Sequence, residues 1–186
     1  ASIGAVTFSG GVWNWSYAAA DNAPPQTVTI TATDEDGGVS TTTFSLTVNN
    51  VDPSLTVDNA SVTVNEGQTA TNYGTYGDVP ADSVNLSASI GTVSGSAGNW
   101  TWSYAAADNL PTQTITITAT DDDGGSTSVT FDLTVNNVSP SLTVDNASVT
   151  VNEGQTVTNS GTFGDVPADT VSLSASVGAV TGSAGN

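Results

Sequence analysis

Thr27-Val28-Thr29-Ile30-Thr31-Ala32-Thr33-Asp34-Glu35-Asp36-Gly37-Gly38, followed closely by Thr43-Phe44-Ser45-Leu46-Thr47-Val48, decides the fold class of this chain. Val28, Ile30 and Ala32 alternate with threonines, and Phe44, Leu46 and Val48 alternate with Thr43, Ser45 and Thr47. A period of two places the apolar side chains on one face of an extended strand. The acidic, glycine-ended segment between the two runs has the composition of a hairpin turn. Thr, Val and Ile are abundant throughout, turn signals recur about every 8–12 residues, and no segment has an apolar stripe of helical period. The chain therefore reads as all-β.

Outward from this stretch, the sequence repeats itself. Trp13-Asn14-Trp15-Ser16-Tyr17-Ala18-Ala19-Ala20-Asp21-Asn22 returns as Trp100-Thr101-Trp102-Ser103-Tyr104-Ala105-Ala106-Ala107-Asp108-Asn109, a step of 87 residues. The same step carries Asn49-Asn50-Val51 onto Asn136-Asn137-Val138, and Val64-Asn65-Glu66-Gly67-Gln68 onto Val151-Asn152-Glu153-Gly154-Gln155. That period exceeds the roughly 20–50 residues of a solenoid unit and suits a small domain with its own core. Asn49-Asn50-Val51-Asp52-Pro53 and Asn136-Asn137-Val138-Ser139-Pro140 are the expected joints, because proline cannot donate to a ladder. The expected division is therefore 1–52, the C-terminal part of a preceding repeat; 53–139, a complete repeat; and 140–186, the N-terminal part of a following one. A window out of phase with its domains is expected of a piece of a longer protein or of a segment of a repeating fibre.

Within the complete repeat, strands are expected near 54–57, 61–64, 68–76, 83–93, 99–104, 113–120 and 127–136, the number and spacing of a two-sheet sandwich. Asp121-Asp122-Asp123-Gly124-Gly125 closes the last hairpin. Trp100, Trp102 and Tyr104 fall on one face, which reads first as a core plug and second as a stacking platform for sugar.

The stretch Thr114-Ile115-Thr116-Ile117-Thr118-Ala119-Thr120 with its acidic turn, followed by Phe131-Asp132-Leu133-Thr134-Val135-Asn136-Asn137-Val138, resembles the end of PKD-like and bacterial Ig-like repeats. Val64-Asn65-Glu66-Gly67-Gln68 is similar to their opening, although the Trp-Asp-Phe-Gly-Asp-Gly signature of typical PKD domains is lacking. The resemblance implies tandem immunoglobulin-like, Greek-key β-sandwiches of large surface proteins, adhesins and extracellular filaments. It further implies an extracellular or cell-surface place and a role as stalk or scaffold, by analogy of fold alone.

Composition narrows the chemistry. The chain has no Lys, Arg, His, Cys or Met, and a formal charge of −18. Without His or Lys there is no side chain of near-neutral pKa to serve as a general base, and without Cys there is no thiolate nucleophile. Nucleic acid and anionic lipid would be repelled. No apolar run approaches the roughly 20 residues of a membrane span, and Ala1-Ser2-Ile3-Gly4 is no signal peptide, so export and anchoring signals are expected outside this window. A paired-carboxylate enzyme, for instance Asp121 with Asp78 acting as a glycosidase does, is the remaining catalytic option. A Gly-rich array of near-duplicates offers it no distinctive pocket, and a non-enzyme is expected.

Calcium takes six to eight hard oxygen ligands, and the acidic turns concentrate them. Asp34 and Asp36 belong to one turn, and Asp121 and Asp123 to the other. In a Greek-key sandwich the last hairpin lies at the end where the domain begins, beside the loop with Asp78 and Asp82 and the linker with Asn50 and Asp52. Asp21 of the preceding repeat faces this joint. At the next joint Glu66 and Asp108 are expected to meet Asp165 and Asp169. An Asp-Gly turn needs the same residues for backbone reasons alone, so both readings stand here.

Six Asn-x-Ser/Thr sequons, at Asn14, Asn59, Asn85, Asn99, Asn137 and Asn146, are glycan candidates, although so Ser/Thr/Asn-rich a sequence also produces them by chance. The leading expectation is a structural array whose partners are neighbouring repeats and further copies in a filament. One alternative is an adhesin module binding glycan or another cell through Trp102 or Tyr104. The other is a self-assembling filament in which one chain donates a strand to the next.

Overall fold

The computed structural model describes residues 1–182. Its strands, in chain order, are β1 (Ala5–Ser9), β2 (Val12–Ser16), β3 (Ala23–Thr33), β4 (Val39–Val48), β5 (Ser54–Leu55), β6 (Ser61–Asn65) and β7 (Gln68–Gly77). They continue as β8 (Val84–Ala88), β9 (Thr92–Ser96), β10 (Asn99–Ala106), β11 (Leu110–Asp121), β12 (Ser126–Asn136), β13 (Ser141–Leu142) and β14 (Phe163–Gly164). Among the described residues no helix is long and apolar enough to cross a membrane.

Between Ser54 and Asn136 two four-stranded sheets face each other, in the orders β5-β7-β10-β9 and β6-β12-β11-β8. The pairings are antiparallel except β12 with β6, which run parallel from Asp132↔Ser61 to Asn136↔Asn65. The first strand of the unit is thus split between the two sheets, β5 joining one and β6 the other. With this order the unit is an immunoglobulin-like sandwich.

Alternation fills the space between the sheets. Ile115, Ile117 and Ala119 of β11 and Phe131, Leu133 and Val135 of β12 are buried, while the intervening threonines face outward. Trp100 and Trp102 of β10 oppose them from the other sheet and are 1% and 0% exposed. Trp102 meets Phe131 edge to face, with centroids 4.9 Å apart. Trp100 lies across Gly74, where a Cβ would stand 2.7 Å from its ring and 2.1 Å from the Thr56 carbonyl. The same carbonyl accepts the Trp100 indole N–H at 2.8 Å.

Two sequence expectations are corrected. The single strand over 83–93 is two, β8 in one sheet and β9 in the other. The chain changes sheets at Gly91, whose φ of +78° is a left-handed conformation suited to glycine. Ile90 beside it gives its carbonyl to the Trp102 indole N–H at 2.6 Å. That buried tryptophan cannot be a sugar platform; of the two aromatics named for that role, only Tyr104 is partly exposed.

The flanking segments carry pieces of the same pattern. Residues 1–52 form two hairpins, β1 with β2 and β3 with β4. Trp15 there repeats the Trp102 arrangement, donating to Ile3 O at 2.7 Å and meeting Phe44 edge to face at 4.9 Å. In residues 140–182 the only ladder among the described residues joins β13 to β14. The last four residues of the expected 140–186 unit lie outside the described ones.

Candidate metal centres at the ends of the sandwich

One end of the sandwich gathers the β11–β12 turn, the β7–β8 loop and the linker that precedes β5. Asp78, Asp82 and Asp121 bring carboxylate oxygens within 4.8 Å of one another there, and so do Asp21, Asp82 and Asp123. Asp82 belongs to both groups. Asp21 arrives from the β2–β3 loop of the preceding segment, so the second group spans the joint. Asp52 is close by, its Oδ1 lying 2.5 Å from where a Cβ on Gly125 would stand, as does Asp121 Oδ2.

Local hydrogen bonding explains the loop shapes. Asp121, 6% exposed, accepts the Asp123 N–H at 3.0 Å and the Gly125 N–H at 2.7 Å on Oδ1, and the Asn50 amide at 2.8 Å on Oδ2. The Asn50 bond, against a smaller opposing effect of burial and with help from the backbone N–H groups, lowers the Asp121 carboxyl below its ordinary value. Asp122 accepts the Ser83 N–H at 2.8 Å, tying the turn to the neighbouring loop. Asp78 Oδ1 accepts the Val79 N–H at 2.8 Å. Burial first, then the like charges of Asp78, Asp21, Asp123 and Asp122, raise the Asp82 carboxyl.

Two shielded side-chain oxygens here lack any hydrogen-bond partner: Asn50 Oδ1 and Asp78 Oδ2. Acceptors withdrawn from water without a donor are costly, and these border a cluster already rich in oxygen.

The other end holds Glu66, Asp108 and Asp169 within 4.8 Å. Glu66 is 2% exposed, and its carboxylate accepts the Asn109 N–H at 2.8 Å and the Val138 N–H at 2.5 Å. It thereby ties the β6–β7 turn to the β10–β11 loop and to the following linker. Asp169 comes from beyond that linker. Its carboxyl is raised, first by burial and then by the charges of Glu66, Asp165 and Asp108 and a hydrogen bond with Glu66. Asp165 accepts the Val166 N–H at 2.9 Å.

The sequence-predicted acids divide accordingly. Asp78, Asp82, Asp121 and Asp123 are brought together with Asp52 at one end, and Glu66, Asp108 and Asp169 with Asp165 at the other. Asp34 and Asp36 join no such group among the described residues; Asp34 Oδ1 accepts the Asp36 and Gly38 N–H groups within its own turn. Sequence reasoning missed the role of Asp122, and that of Glu66 as a clamp on two distant N–H groups. All six sequon asparagines, Asn14, Asn59, Asn85, Asn99, Asn137 and Asn146, are exposed. Asn59 and Asn146 also hydrogen-bond Asn72 and Asn159 through their amides, at 3.1 and 3.2 Å.

Chemically these are all-oxygen sets without imidazole or thiolate, suited to a hard divalent cation.

No protein-family model matches the chain, and no curated protein matches it. Solved structures are similar in fold. The titin domains Z1Z2 in complex with telethonin are 19% identical over 73% of this chain and 73% of theirs, at a TM-score of 0.43. The BIgI domain of the beta protein from S. agalactiae, bound to CEACAM1, is 20% identical over 47% of this chain and all of its own, at 0.37. A chimeric titin Z1Z2 carrying a decorin peptide is likewise 20% identical, over 49% of this chain, at 0.37.

Proposed function

We propose that the chain is a structural array of immunoglobulin-like repeats, divided at 1–52, 53–139 and 140–186, from a stalk, adhesin or fibre outside a bacterial cell. Its joints take calcium, which stiffens the array. It has no catalytic role, and its partners are neighbouring repeats of the same protein.

The observation that carries this reading is the gathering of carboxylates from both sides of a linker at each end of one sandwich. A net charge of −18 with no Lys or Arg leaves those groups without an internal counter-ion. At the first end, Asp78 Oδ2 and Asn50 Oδ1 are unpartnered acceptors beside Asp82 and Asp121. A calcium ion there would be held by Asp78, Asp82, Asp121 and Asn50, with Asp21, Asp52 and Asp123 completing the oxygen set. At the second end Glu66, Asp108, Asp165 and Asp169 would serve. Bound calcium supplies the positive charge that the chain lacks, and a ligand set drawn from both sides of a linker fixes the angle between sandwiches.

Metal bound to the native state alone stabilises it by mass action, by about 2.7 kcal/mol at a hundred times the dissociation constant, and so raises the melting temperature. Calcium titration of thermal unfolding should show this rise, and Asp82→Asn, which removes the ligand shared by both groups of the first end, should reduce it. Equal melting temperatures with calcium and with chelator would overturn the metal reading.

A further inference from the structure

The carboxylates at the first end of the sandwich gather in two sets. Asp78 and Asp121 meet Asp82, and Asp21 and Asp123 also meet Asp82, each set with oxygens within 4.8 Å. The first set lies within one sandwich, and the linker adds to it. Asp121 Oδ2 and Asp52 Oδ1 each stand 2.5 Å, and Asn50 Nδ2 2.6 Å, from where a Cβ on Gly125 would be, so three polar ends converge in space that any side chain at 125 would fill. Two carboxylate oxygens so placed lie within the span of one calcium, whose ligands stand about 2.3–2.6 Å away. Asp78 Oδ2 and Asn50 Oδ1 have less than 1 Å² of accessible surface each and no hydrogen-bond partner. A shielded acceptor without a donor is what a cation satisfies. The Asn50 amide gives its nitrogen to Asp121 Oδ2 at 2.8 Å; turned over, it gives its oxygen to a cation at the same place.

The second set crosses the joint, because Asp21 comes from the β2–β3 loop of the preceding segment. Its central pair recurs: Asp108 and Asp169, one 87-residue step on from Asp21 and Asp82, meet at the other end with Glu66. At the first end Asp21, Asp52, Asp78, Asp82, Asp121 and Asp123 face no Lys or Arg, since the chain has none. A single divalent ion would leave most of that charge unanswered, and charges drawn away from water need a partner or a metal.

We propose that this end holds two cations with separate tasks, an inference that rests on the calcium reading above. The inner ion is held by Asp52, Asp78, Asp121 and Asn50 over Gly125, and ties the linker to the β11–β12 turn of its own sandwich. The outer ion is held by Asp21 and Asp123, and ties the preceding segment to that sandwich. Asp82 bridges them, one carboxylate oxygen to each, as in two-metal sites whose ions stand about 3.5–4 Å apart. The inner ion therefore stabilises one repeat, and the outer ion sets the angle between two.

The test is equilibrium dialysis of the 186-residue chain against calcium alone, with thermal unfolding of the same samples. Gly125→Ala keeps every ligand and every charge but fills the space where the inner ligands converge; Asp52→Asn removes an inner ligand without changing the side chain's shape. Each should bind one calcium fewer per chain than wild type and show a smaller calcium-induced rise in melting temperature. Asp21→Asn should also lose one calcium but keep most of that rise, and Gly125→Ala combined with Asp21→Asn should lose two. Gly38→Ala, the same change in the β3–β4 turn, should bind as wild type does. If the double variant loses no more than either single one, one shared ion serves the whole end: the inference fails and the calcium reading stands. Inner variants that bind like wild type, or a Gly38→Ala chain that also loses calcium, would overturn the inference in the same way. A wild type that binds no calcium would overturn both.

Discussion

Asp82 is the carboxylate on which both acidic groups of the first end depend, and its titration has a definite sign. Its folded carboxyl, like that of Asp169, lies above the ordinary value of 3.8, so ionisation at neutral pH costs the fold stability. That cost is relieved as pH falls through the raised value. Asp121 behaves oppositely: its lowered carboxyl contributes stability above 3.8 that is lost as pH falls through the lowered value. Without metal, the melting temperature should therefore rise on mild acidification towards the aspartate range and then fall. Asp82→Asn should flatten the rise. Calcium needs ionised ligands, so its stabilising increment should shrink over the same range. Melting curves from neutral to acidic pH, with and without chelator, check this; a calcium increment that does not change with pH would count against carboxylate ligation. At this scale the sequence was informative about which acids converge, because Greek-key geometry brings the last hairpin to the domain's first end. It named Glu66 as an acid of the second joint but was silent on its clamping of the Asn109 and Val138 N–H groups, which lie 43 and 72 residues away.

Strand β10 shows how an element is read and misread. The spacing of Trp100 and Trp102 puts both on one face in the sequence, and both are core. Whether that face looks inward is a tertiary fact, and the inward answer removes Trp102 as a sugar platform. The β8–β9 division was harder to read. Val84, Leu86, Ala88 and Ile90 alternate without interruption, and only Gly91 marks the change of sheet. Gly74 in β7 has no pattern to betray its role, since the need for glycine comes from the Trp100 ring above it. Gly74→Ala would push a methyl to within 2.1 Å of the Thr56 carbonyl, displacing either the indole or β5. A loss of about 1–3 kcal/mol is expected for overpacking of this kind, measured by denaturant unfolding. A neutral substitution would show that the two sheets yield more readily than the packing implies.

Across the whole molecule, the alternation of apolar residues with threonine and serine carried most of what could be read: the strand pattern and the sandwich class. What it could not give is the state of the joints, because convergence of like charges is costly unless something offsets it. Calcium at those joints is the central claim, and small-angle scattering tests it most directly. The chain should give in calcium the profile of one extended particle with a narrow spread of lengths. Chelator should broaden that spread as the acidic groups separate. Superimposable profiles in the two conditions would contradict the account and leave the acidic joints as solvated surface.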